Sequence, residues 1–562
     1  MKIPSGAVER QIFYAGLIEQ CGTSRSQRFE FYKQLRNYYL FGTVDDSGAP
    51  YNKIESTLDT LTSFIYSPEG IKFSLALGVT ATETDAVKAE PLSRELAEQW
   101  RNGGTHMRFG AAVLWAHVFG CMLLKVQWRE KSKLARTYLV EPHQFGVLRE
   151  DIMELADQEA FCMWYTTTKT QLASDLEGNP RKDSILERIS AGQASAGGSG
   201  ISQGMSRLLL SNPVGGIPGS KAASYGNAGG TINGGLQGGR TSYNYAPQVA
   251  ADMVDMVDLY VWNDEENDYQ VITQASGDVT IYDRPQRRVG VRGIPHFVPV
   301  RVSNKLYDFF WGDSYVSRLA WLQDWRTEDM GNIRNLQAKQ SDPPVSVTGA
   351  GGIAEEKMAA LRRSGGLATL NSPTAKIDIH SPKMPENVFA SLDQIDRMFD
   401  DIAGIGHILQ GRGESGVRSR GQADLMARLG SSRPKQRALV VEEAAEEVAT
   451  LILRCVQEES DQRFETQDPA KPNAKLVFTA DQFTNDFEAK VDAHSSSPIF
   501  VEDRKQDAEK MLEAHVIDRE TFLDLYDPPN LQMLKRRLKM IEHKEAEAAR
   551  AKQQAEAQAK AE

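Results

Sequence analysis

The strongest constraint in this sequence is a pair of helical stretches on either side of a short module. Residues 314–340 contain no proline and one glycine, which allows a helix of up to about 40 Å at a rise of about 1.5 Å per residue. Gly312-Asp313-Ser314 gives a helix-start signal and Ser341-Asp342-Pro343-Pro344 a stop. After Pro385-Glu386-Asn387 a second helix is expected. Its Val388, Leu392, Ile395, Phe399 and Ile402 recur at i, i+4, i+7, i+11 and i+14, a narrow stripe that has to pack against another helix. The intervening segment reads as a strand at 345–347, a glycine turn at 349–352, a short helix at 354–363 and an extended piece near 375–380. It is too small for a domain of its own.

The flanks define an α+β chain rather than a βαβ repeat. Helical spacing runs through 11–40 and 51–65. One further helix is expected over 97–119, ended by Gly120 before strands at 122–128, 136–140 and 160–167. Residues 188–245 read as a glycine-rich insert, with fifteen glycines among the fifty residues of 191–240. Such composition suits a solvent loop or one that orders on a neighbour. Strands at 253–262, 269–273, 279–282 and 295–302 follow. Beyond the second helix, Gly404-Ile405-Gly406 is a terminator and Gly411 to Gly421 an arginine-bearing loop. A third helix at 422–457 should be kinked at Pro434. A strand at 475–479 and helical sequence from 498 to the end complete the chain, its last stretch short of apolar anchors.

Chemistry is conspicuous mainly by what the sequence lacks. There is no GxxxxGK[ST], HExxH or GxSxG, and no pair of histidines at i, i+4. Adjacent carboxylates such as Asp400-Asp401 and Glu442-Glu443 point in different directions on a helix. Cys21, Cys121, Cys162 and Cys455 are scattered, without disulfide or zinc spacing. No catalytic residue, cofactor or metal is therefore expected. The start lacks a signal-peptide core, and the longest apolar stretch, 111–126, is interrupted by His117, Gly120 and Lys125, so no membrane span is expected.

With 65 Lys+Arg against 76 Asp+Glu and a net charge of −11, the 562-residue chain is not a basic nucleic-acid coat. One segment goes against this trend. Arg412, Arg418, Arg420, Arg428, Arg433, Lys435 and Arg437 face only Glu414 and Asp424. Such a cluster can lie along a phosphate backbone without reading bases, or it can pair with the acidic residues of 442–447. Trp311, Trp321 and Trp325 are read as packing against the N-terminal body, with interface anchoring as the alternative.

The order of these elements resembles the portal proteins, or head-to-tail connectors, of tailed bacteriophages. FGAAVLWAHVFGCMLLKVQW, LVEPHQFGV, PHFVPVRVSNKLYDFFWGDSYVSRLAWLQDW, DPPVSVTGAGG, PENVFASLDQIDRMFDDIAGI and GRGESGVRSRGQADLMARL carry the resemblance, across roughly residues 10–490. It implies a protomer with an α/β wing (1–310, including the insert), paired stem helices (311–340 and 386–408) and a small α/β clip (341–385). It further implies a tunnel loop (409–421), a kinked tunnel helix (422–458), a wing return (459–497) and a helical crown (498–562). The implied assembly is a homo-oligomeric ring, usually of about twelve subunits, at one capsid vertex of the virion, assembled in the host bacterial cytoplasm. Double-stranded DNA would be packaged and ejected through it. The implied partners are the terminase large subunit, head-tail adaptor and tail proteins, and capsid and scaffolding proteins. In this reading Arg412, Arg418, Arg420, Arg428, Arg433, Lys435 and Arg437 lie near DNA, and Val388, Leu392, Ile395, Phe399 and Ile402 pack the stem. A tail adaptor or scaffold, or a packaging enzyme, is the alternative.

Overall fold

The computed structural model describes residues 1–44, 49, 51–68, 71–78, 83–129, 132–177, 179–195, 253–275, 279–286, 293–303, 309–341, 343, 345–348, 376–379, 388–405, 432–468, 471–482 and 487–491, with shorter runs between 505 and 541. Most of the glycine-rich insert, the 354–363 helix, the 411–421 loop and residues 542–562 lie outside the described residues.

The N-terminal body begins with α1 (Ala7–Phe41) and α2 (Lys53–Ile65). α2 starts at Asn52, whose side chain accepts from the Glu55 amide, and its Ile54, Leu58, Leu61 and Ile65 are wholly buried on one face. After strand β1 (Phe73–Leu77), the single helix expected over 97–119 is instead two, α3 (Glu83–Asn102) and α4 (Thr105–Phe119). The reason is tertiary. A Cβ at Gly103 would stand 2.4 Å from the Ala135 carbonyl oxygen, and Gly104 takes a left-handed φ of 72°, so the chain turns where a neighbouring strand comes in close.

Two antiparallel sheets follow. Strands β2 (Cys121–Arg129), β3 (Leu134–Val140) and β9 (Phe297–Arg301) form one, in the order β3-β2-β9. The other is a five-stranded meander of β4 (Phe145–Val147), β5 (Ala160–Thr168), β6 (Met253–Asn263), β7 (Asp268–Ala275) and β8 (Val279–Pro285). The alternation of strand side chains divides the meander into two faces. Phe161, Tyr260, Tyr269 and Val271 pack with Cys121, Leu123 and Phe297 of the smaller sheet. Cys162, Leu259, Val261 and Ile272 pack instead under Tyr14, Leu17 and Cys21 of α1. Short helices α5 (Lys169–Asp175) and α6 (Lys182–Ser195) close one end. α6 is a correction: residues 188–195, read as the start of the flexible insert, are helical, and Ile185 and Ile189 are buried. All four cysteines are free and buried.

The second half contributes α7 (Tyr315–Ser341), the antiparallel strand pair β10 (Val345–Thr348) and β11 (Lys376–Ile379), α8 (Val388–Ala403) and α9 (Ser432–Glu459). Val441, Ala445, Val448, Ile452 and Val456 of α9 are buried in the largest apolar cluster, against the N-terminal helices and sheet. The kink expected at Pro434 concerns a helix over 422–457 whose first part, 422–431, lies outside the described residues; α9 is described from Ser432, two positions before Pro434. The chain then forms a hairpin, β12 (Arg463–Asp468) with β13 (Lys471–Thr479), and returns to the N-terminal body through β14 (Phe487–Val491). β14 pairs with β1 from Phe73↔Val491 to Leu77↔Phe487. A further helix, α10, spans Arg519–Tyr526. The whole is an α+β fold.

Candidate functional site

The site is built on α7 and α8. Ser314 caps α7, accepting from the Ser317 amide at 3.2 Å while its own hydroxyl donates to the Val118 carbonyl. Two cross-links fix the direction of α8. Arg326 donates to Asp396 at 3.0 Å, and Ser391 donates to Asp329 at 2.8 Å. Partner numbers fall on α8 as they rise on α7, so the two helices run antiparallel, with the β10–β11 strand pair on the connection between them. Of the α8 stripe, Ile395 and Phe399 are wholly buried, while Val388, Leu392 and Ile402 are half-buried. The stripe-bearing helix packs on α7 and α2.

Polar groups fasten this pair to the body. Gln323, wholly buried, accepts from the Lys53 amide and donates to the Tyr51 carbonyl, each at 3.0 Å. Lys53 stands 3.9 Å from Asp400 with both side chains largely buried, and Tyr38 of α1 donates to Asp324 at 2.8 Å. Trp311 is buried and donates to Glu150 at 2.9 Å, which makes it an intrachain anchor. Trp321 and Trp325 depart from the reading that they pack on the body. They are 54% and 39% exposed and stack on each other at 6.2 Å.

The end of α8 is where the predicted basic residues can be located. Gly404 terminates the helix in a left-handed conformation (φ 73°), its N–H bonding the Asp400 carbonyl at 2.8 Å. Arg433 and Arg437, from the first turns of α9, donate to the Asp401 and Ala403 carbonyls at 3.0 and 2.7 Å. Two cations at the negative end of the helix dipole satisfy carbonyls that α8 cannot satisfy itself. Arg437 is buried, with its guanidinium carbon 4.4 Å from the centre of the Tyr315 ring. Burial moves its pKa down, while Tyr315 opposes that shift. Tyr315 in turn lies 5.7 Å from the ring of buried His117, whose Nδ1–H donates to the Val113 carbonyl at 2.8 Å. The start of α7, the end of α8 and the start of α9 thus meet at one pinned junction.

This revises the basic cluster. Arg437 is a buried positioning residue rather than a DNA-facing one, because its guanidinium is committed inside the chain. Arg433 is exposed yet tied to α8, and Lys435 is half-buried. Arg412, Arg418, Arg420 and Arg428 lie outside the described residues. Sequence reasoning identified Gly404 as a terminator but missed the capping by Arg433 and Arg437, since the capped carbonyls lie more than thirty positions away and no local pattern announces them. Among the described residues no group of three His, Cys, Asp or Glu side chains could hold a metal ion, and no helix is long and apolar enough to cross a membrane.

No family model matches the chain, and no curated protein does. Among solved structures it is similar to a chain from the virion of a native gene transfer agent particle, at 10% sequence identity and a TM-score of 0.39, covering 84% of this chain and 89% of that one. A likeness at that score fixes neither fold nor function.

Proposed function

We propose that the chain is a subunit of a ring-shaped portal at one capsid vertex of a tailed phage, through which double-stranded DNA enters during packaging and leaves on ejection. The observation that carries this reading is the antiparallel pair α7 and α8 with a two-stranded β pair on their connection, pinned at its base by Arg437 and followed in sequence by the arginine-bearing segment 409–421. In a ring, one arginine per subunit becomes a belt of positive charge around a channel. Against a net charge of −11 such a belt attracts DNA without holding every phosphate. The DNA-facing role is kept for Arg412, Arg418 and Arg420, with Arg428, Arg433 and Lys435 beside them. The β10–β11 strand pair is the proposed docking end for the terminase large subunit and later for head-tail adaptors, with capsid and scaffolding proteins around the body. The test is native mass spectrometry of the purified protein with negative-stain class averages. A closed ring of about twelve subunits with a central hole is expected, and a monomer or dimer under all conditions would refute the proposal.

A further inference from the structure

Between the two sheets lies a cavity of about 670 Å³, within the size range of small-molecule sites. It is not needed for the stem or for the arginine segment, and its lining is unusual for a packing void. Asp258 of β6 accepts from Thr273 at 2.8 Å and from Tyr165 at 3.3 Å, and lies 3.8 Å from the Lys125 ammonium of β2. Its acceptor capacity is therefore largely used within the protein.

The donors around it are not used. Lys125, which lines the cavity, is close enough to Asp258 for an ion pair but too far for a hydrogen bond. The Arg284 Nε–H is buried with no hydrogen-bond partner, and so is Nδ1 of His296, a residue only 3% exposed. Tyr260, 2% exposed, has no hydroxyl partner among the described residues. Arg284 acts electrostatically on both phenols, Tyr165 and Tyr260, and Lys125 lies beside Asp258. Buried polar atoms are almost always satisfied. Two such atoms, Arg284 Nε and His296 Nδ1, belong to residues lining this cavity, beside the Lys125 ammonium and the Tyr260 hydroxyl, and together these groups suit an acceptor-rich occupant. Tyr138 and Tyr282 supply flat aromatic surface in the same lining.

We infer that this cavity is a binding site for a small aromatic anion, its carboxylate or phosphate group held by Lys125, Arg284 and Tyr260 and its ring against the aromatic wall. The site is separate from the proposed channel, and its test does not depend on ring formation.

The experiment is isothermal titration of the full-length protein with adenosine monophosphate, benzoate and inorganic phosphate, together with the variants Tyr260→Phe and Arg284→Gln. Each variant removes donor capacity and leaves the buried Asp258 with its partners. Saturable binding of adenosine monophosphate or benzoate is expected, and comparison of the two identifies the preferred head group. Each variant should weaken binding about tenfold, as loss of one hydrogen bond to a charged group implies. Inorganic phosphate, which has no ring, should bind at least about tenfold more weakly than the better aromatic probe. The assignment is overturned if neither aromatic probe gives a saturable heat, if both variants bind as the parent does, if phosphate binds equally well, or if crystals soaked in the better aromatic probe show only water in the cavity.

Discussion

Replacing Arg437 by Met tests whether the helix junction or the channel owns this side chain. The substitution keeps most of the volume and removes the guanidinium that donates to the Ala403 carbonyl at 2.7 Å and lies 4.4 Å from the Tyr315 ring. A charge-assisted hydrogen bond contributes about 1.5–3 kcal/mol net, and a desolvated cation–π contact on the order of 2 kcal/mol. Against these stands the desolvation of the buried cation, seen in its lowered pKa, which Met avoids. The net loss expected is about 2–3 kcal/mol, because the terms share one group and do not add. The assay is hydrogen exchange over segments 401–405 and 432–440 together with urea unfolding. Both segments should exchange faster, and the unfolding midpoint should fall. Arg437→Lys should recover part of the loss, since it keeps the charge without the planar fork. Unchanged exchange and an unchanged midpoint for Arg437→Met would refute the junction. If DNA retention fell while stability did not move, the guanidinium would belong to the channel.

Three further outcomes follow from the same geometry. Phe399→Ala, at a wholly buried position on α8, should cost about 3–5 kcal/mol in urea unfolding, and a cost below about 1 kcal/mol would show that the stripe is not packed as described. His117, whose burial lowers its pKa from 6.5 to about 3, binds fewer protons folded than unfolded in that interval. Its contribution is complete above pH 6.5 and is lost as the pH falls toward about 3, at up to about 1.4 kcal/mol per pH unit. His117→Gln should therefore flatten the acid side of the stability profile, and an unaltered slope between pH 6 and about 4 would count against the assignment. Alanine at Arg412, Arg418 and Arg420 together should reduce the DNA packaged and retained per particle while leaving ring formation intact, and normal DNA content would remove these residues from the channel.

Local pattern and remote contact divide the credit for this fold. The length and bounds of α7, the stripe on α8, the Gly404 terminator and most strands could be read from the sequence, because each is fixed by neighbours within one turn or one pleat: a serine cap, a 3.6-residue period, a left-handed glycine. The break between α3 and α4 was not legible, since it depends on the Ala135 carbonyl coming within 2.4 Å of where a Gly103 Cβ would stand. The resemblance implied a wing return over 459–497, but the strand β14 and its pairing with β1 were not legible. The basic cluster shows the division most clearly. Its composition was visible as charge, but charge alone does not say which cations are spent on protein carbonyls. Only the tertiary structure buries Arg437 beneath Tyr315 and hands it to α8, and only the meeting of two sheets gathers Lys125, Tyr260, Arg284 and His296 around one cavity. Sequence period fixes elements because helix and strand geometry is local. Which elements share a partner is settled by long-range packing, to which adjacent residues give no clue.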